Sequence, residues 1–234
     1  MVRILAIRGI FALLLAAPAH ATDSTSLRWS ESDPRCAFRA EDDGTYRYAL
    51  TTDQFSVTLA MDAQELDKSR KRSEPVMAFF LSLRSLSRQS PSLAPAAVTL
   101  ELVRHFRAVE HPIDPTTLVG RLHDRQVRAE RTTALAIQKH PEKKEQIEAG
   151  LAEVQQETSQ MSAWIQTNIL TEGGSSTQEI RGWLLFAASG RWIGPLNPQE
   201  EFLLRVPIGN TVVEFPFTLP PSRDDIRLRT RPDN

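Results

Sequence analysis

The sequence predicts a mainly β fold: an antiparallel β-sandwich with a long helix or helical hairpin inserted between two of its strands. Three observations carry that expectation. Apolar and polar residues alternate in short runs from Cys36 to Leu102 and again from Ile180 to Leu219, the period-two pattern of half-buried strands. Turn-forming residues punctuate those runs, as at Asp42-Asp43-Gly44, Thr51-Thr52-Asp53-Gln54 and Gly209-Asn210. Between the two β blocks, residues 115–170 are rich in Ala, Glu, Gln, Lys and Arg, all good helix formers. About eight short strands parted by turns suit a sandwich. An immunoglobulin-like topology is one option, but the Cys-Trp-Cys spacing of that fold is absent, so the strand order stays open.

The elements follow in order. Thr22 to Asp33 is polar and reads as a loose or edge segment. Cys36 to Ala40 is a short candidate strand. Tyr46, Tyr48 and Leu50 alternate with polar or small residues. Phe55, Val57, Leu59 and Met61 give the cleanest half-buried strand of the chain. Asp62 to Glu74 is charged and lacks period two; its basic cluster (Lys68, Arg70, Lys71, Arg72) reads as a solvated loop or helix face. Val76 to Leu83 is nearly all apolar, which suits a strand buried on both faces, with a short buried helix as the competing reading. Val98, Leu100 and Leu102 alternate again.

The texture changes at His111-Pro112. Asp114-Pro115 is a helix start, with Asp as N-cap and Pro in the first turn. His140-Pro141 breaks the helix and restarts it, leaving a hairpin or a kinked helix. Ile147, Leu151, Val154, Met161 and Ile165 form a stripe at three-four spacing, interrupted by Thr158, so one face meets a partner. Glu172-Gly173-Gly174-Ser175-Ser176 reads as a flexible return loop. Strands resume at Ile180–Ala188, Phe202–Val206 and Val213–Leu219; Pro216 places the last at an edge or at its end. The chain thus divides into a leader (1–21), a first part of the sandwich (22–111), a helical insertion (112–172), the last strands of the same sandwich (173–221) and a flexible tail (222–234).

The leader carries the localisation. Arg3 and Arg8 precede a short apolar run, Gly9 to Ala17, that Pro18 ends, followed by Ala19-His20-Ala21. That is the charged, apolar and small-residue pattern of a cleaved secretory signal peptide. The expected site is periplasmic, in the cell envelope or secreted from a bacterium. No later segment is long and apolar enough to span a bilayer, so no transmembrane segment is expected after cleavage. The single cysteine, Cys36, cannot form an intramolecular bridge and reads as an inert, buried thiol.

Composition and motifs then narrow the function classes. Loss of Arg3 and Arg8 takes the net charge from −1 to −3, against the basic surface that nucleic-acid binding needs. His105, His111, His123 and His140 show no zincin spacing, and no metal is expected. No nucleophile elbow, Ser-x-x-Lys motif or phosphate-cradling glycine loop occurs, so no cofactor is expected either. Two readings follow. The first is an exported, non-catalytic interaction or binding module of the bacterial cell envelope, with the helical insertion as its partner-binding or self-associating arm. Its candidate interaction residues are Arg191 and Trp192 in a glycine-punctuated loop, a residue pair enriched at binding hot spots, and Met161 and Ile165 on the helical stripe. A small ligand held between helices and sandwich is a close variant, which a large apolar pocket would support. The second is an exported hydrolase whose site is assembled from His105, His111, Asp42, Asp43 and Cys36.

Overall fold

The apolar run at Val76–Leu83 becomes the strand around which the molecule is organised. A computed structural model of the chain describes residues 25–71, 74–87, 92–104, 107–172, 179–188 and 199–219. In chain order its elements are β1 (Thr25–Arg28), β2 (Cys36–Ala40), β3 (Thr45–Thr51), β4 (Phe55–Asp62), α1 (Glu65–Lys71), β5 (Val76–Ser85), β6 (Thr99–Leu102), β7 (Ala108–Glu110), α2 (Pro115–Lys139), α3 (Lys144–Asn168), β8 (Glu179–Ala187), β9 (Glu200–Ile208) and β10 (Thr211–Leu219). The fold is mainly β and sandwich-like. One sheet has the order β2-β3-β4-β5-β8, the other β1-β10-β9-β6-β7. Among the described strands all pairings are antiparallel except β1 on β10. An immunoglobulin-like arrangement is not confirmed; β2 to β5 run as a simple meander.

Alternation explains which side chains enter the core. On β5, Met77, Phe79, Leu81 and Leu83 are buried and join Phe186, Phe202, Leu204 and Phe215 in one cluster. Each such side chain contributes about 1.5–3 kcal/mol on burial. Val76 and Ala78 point to the other face and are buried too, in a second cluster with Leu118, Leu122, Ile165 and Leu185. The run is continuous because the strand carries a core on each side. Trp29, just past β1, fastens the two sheets at one edge. Its indole N–H donates to the carbonyls of Ala37 (3.3 Å) and Ala49 (3.1 Å), and its ring meets Tyr48 edge-on at 4.9 Å.

Several sequence expectations are resolved here. β1 is an edge strand, but a parallel one, in register with Thr211–Glu214. The charged stretch after β4 forms α1, whose start supplies Glu65 and Asp67. Pro216 lies within β10 opposite Leu203, beyond the last residue that β1 covers, so its missing N–H falls where the strand is locally an edge. Gly209 opens the β9–β10 turn with φ +56°, a conformation glycine adopts without steric cost. The short strand β7, only three residues long, has no period-two signature and was not anticipated.

The helical insertion is a hairpin. Asp114 caps α2 through its carboxylate, which accepts the Thr117 N–H at 2.8 Å. Pro141–Lys143 forms a single 3₁₀ turn between the helices. Each helix has 25 residues, a length of about 37 Å. Only Leu118 and Leu122 on α2, and Thr158 and Ile165 on α3, are buried, all in the root half. The far half therefore projects as an arm. Both roots are stitched to the outer edge of β8: Ile113 N–H donates to Leu185 O (2.7 Å), and Leu170 N–H donates to Trp183 O (2.9 Å). They cover an edge that would otherwise present unpaired backbone groups.

Candidate functional site

Where the arm meets the sheet it leaves a cleft of about 1090 Å³. The floor is the outward face of β3, β4, β5 and β8. On that face Ala60, Val76, Ala78, Phe80, Trp183 and Leu185 follow one another at period two along their strands. One wall is the arm root, with Leu118, Leu122, Met161 and Trp164; the other is α1 with the residues beside it. Phe80, Trp183 and Trp164 form a continuous aromatic lining. Phe80 meets Trp183 edge-on at 5.5 Å, and Trp183 meets Trp164 at 5.9 Å.

The rim is charged and largely ion-paired. Arg47 bonds Glu41 (2.6 Å), Lys68 bonds Asp62, Glu74 faces Arg121 (3.4 Å) and Glu157 faces Arg125 (3.4 Å). The Glu41 carboxylate raises the Arg47 guanidinium above its ordinary pKa against a small burial cost. Glu65 lines the same cleft and is buried. Its Oε1 accepts the Ala78 N–H at 2.7 Å. β4 pairs with β5 only as far as Phe80, so α1 supplies the acceptor that β4 no longer offers to Ala78. An apolar, concave surface with a few polar groups at its margin is what small-molecule and peptide sites share. It offers binding by burial of apolar area, with orientation set at the rim.

Of the sequence candidates, Ile165 is 1% exposed and packs under the arm root, while Met161 lies half-buried in the cleft wall. Arg191 and Trp192 lie outside the described residues, as do His105, the leader with its Ala21 boundary, residues 173–176 of the return loop and the tail; of the basic cluster only Lys68 has a described side chain. Trp183 takes the outward position on β8, so it is half-buried against Trp164 and packs on the second cluster rather than between the sheets. Trp164 anchors the helices as its place beside the stripe implies. Cys36 is partly buried and packs against the core. Cys36 begins β2, while Asp42 and Asp43 lie in the turn at its other end. Among the described residues no three His, Cys, Asp or Glu side chains are grouped to hold a metal ion, and no helix is long and apolar enough to cross a membrane.

The cleft was not readable residue by residue. Phe80, Ala60 and Ala78 lie in runs that strand alternation places only relative to a face, and nothing local says that an arm 35 residues away will cover that face. Comparisons with protein-family models, curated proteins and solved structures gave no match in any of the three.

Proposed function

We propose that this chain is an exported interaction or binding module of the bacterial cell envelope, with the helical insertion as its partner-binding element and the cleft at the root of that insertion as its ligand seat. The leader pattern of residues 1–21 supports export. The observation that carries the binding reading is the cleft itself. Its apolar floor, Phe80 and Trp183 above all, is framed by the arm and left open to a guest. The hydrolase alternative draws no support from the placement of Cys36, Asp42 and Asp43. Cys36 and the Asp42-Asp43 turn lie at opposite ends of β2, and five strand residues span about 17 Å.

The test is site-specific photo-crosslinking in a bacterial envelope. A benzophenone side chain replaces Phe80 on the cleft floor in one strain. In another it replaces Ser82, the next outward position on β5 and no part of the cleft lining. The reading expects a discrete adduct from position 80 and none from position 82. Adducts that are absent, or the same at both positions, overturn it.

A further inference from the structure

The arm separates its charges by helix. α2 carries Arg121, Arg125, Arg128, Arg131 and Lys139 against Asp124 and Glu130. α3 carries Glu145, Glu148, Glu153 and Glu157 against Lys144. Near the root this helps close the hairpin, where Arg125 faces Glu157 and Glu130 accepts a hydrogen bond from Gln155 (3.2 Å). Towards the tip the charges point elsewhere. Arg131, Leu135 and Lys139 recur every four residues on α2, on the side opposite the seam residues Gln126, Glu130 and Ile137. Glu145, Ala149 and Glu153 recur in the same way on α3, opposite Ile147 and Leu151. All six are exposed, and Leu135 at 59% is among the most exposed large apolar side chains described. None of the four charged members has an ion-pair partner among the described residues.

The two stripes match each other in level. The contacts of Arg125 with Glu157 and of Glu130 with Gln155 fix the pairing of heights along the hairpin. By that pairing Arg131 stands level with Glu153, Leu135 with Ala149, and Lys139 with Glu145. A basic-apolar-basic edge is thus the complement of an acidic-small-acidic edge, but the two face away from each other on opposite sides of one arm.

We propose that the arm docks a second copy of this chain, the α2 edge of one protomer lying along the α3 edge of the next. Arg131 meets Glu153, Lys139 meets Glu145, and Leu135 covers Ala149. The helices in contact then run antiparallel and both arms point the same way. A two-fold contact would bring α2 against α2 or α3 against α3 and set like charges face to face. The interface is therefore heterologous, each copy offering one edge of each sign. Exposed ion pairs contribute little apiece, so the association is weak and is screened by salt. This inference rests on the arm being the partner-binding element and does not use the cleft.

Sedimentation velocity on the mature chain tests it. The wild type shifts to larger species as concentration rises, and the shift fades at high salt. Arg131→Glu with Lys139→Glu leaves both edges acidic; Glu145→Lys with Glu153→Lys leaves both basic. Each doubly substituted protein stays monomeric, with association weakened roughly tenfold or more, and circular dichroism shows both still folded. An equimolar mixture of the two associates again, and so does a chain carrying all four reversals. A wild type that is monomeric at every concentration, or a mixture that does not associate, overturns the proposal. If position 80 still crosslinks in that event, the binding-module reading stands without the self-docking arm.

Discussion

Replacing Gly182 by Ala should loosen the root of the arm. A Cβ at Gly182 would stand 2.6 Å from Leu170 Cα and 2.7 Å from Leu170 N, both backbone atoms. Carbon contacts are comfortable at about 3.5–4.0 Å, so Leu170 must retreat by about 1 Å. That movement stretches the bond from Leu170 N–H to Trp183 O, now 2.9 Å, past hydrogen-bond reach. Overpacking costs about 1–3 kcal/mol and the lost bond about 1 kcal/mol. A stiffer unfolded chain offsets about 0.4–1 kcal/mol. The net loss is about 2 kcal/mol, and for a domain of this size about 4–8 °C in Tm. Thermal unfolding measures the total, and amide exchange at Leu170 locates it, since that N–H should exchange faster than in the wild type. Gly150→Ala is the control. It lies on α3 with nothing within 4 Å of its virtual Cβ, and should stabilise by about 0.8–1 kcal/mol. A Gly182→Ala protein as stable as the wild type would refute the claim that the chain leaving α3 is pinned across β8.

Three further outcomes follow from the same geometry. Glu65→Ala leaves the buried Ala78 N–H without its acceptor and should cost about 1–3 kcal/mol in urea unfolding, while Glu65→Gln, which keeps an acceptor oxygen, should cost less. Thr158→Val replaces a buried hydroxyl that has no hydrogen-bond partner among the described residues with an isosteric methyl, so thermal unfolding should show unchanged or raised stability. The Arg35 guanidinium, bonded to both Asp33 carboxylate oxygens, and the Arg35 backbone N–H hold the Asp33 pKa down to about 2 from its ordinary 3.8. The folded value is depressed, so this contact favours the fold above about pH 4 and is lost as pH falls through about 2; carboxyl NMR titration should find that midpoint, and Arg35→Ala should return it towards 3.8.

The fold was legible where a single period governed a run. Phe55–Met61 alternates cleanly because only one of its faces meets the sandwich core, and Asp114-Pro115 announces a helix through its own capping chemistry. The site was less legible because it depends on what covers a face. Ala78 and Phe80 look like ordinary members of an apolar strand, and only the arm's return at Ile169–Leu170 turns their side of the sheet into a cleft. Trp183 shows the same limit. An apolar neighbourhood in sequence places it inside something, but its parity on β8 decides which of two cores receives it. Leu170 and Gly182 are twelve residues apart, and no local pattern announces that their backbones touch.

The claim that the cleft is the ligand seat is tested most directly by NMR of the mature chain, following the Met161 methyl and the tryptophan indoles through titration with small apolar fragments. The Met161, Trp164 and Trp183 signals should move together and saturate. The Trp29 indole, 6% exposed and bonded to Ala37 and Ala49, should stay fixed. Saturable shifts confined to Trp29 or to the arm tip, or none at the three cleft residues, would contradict the account.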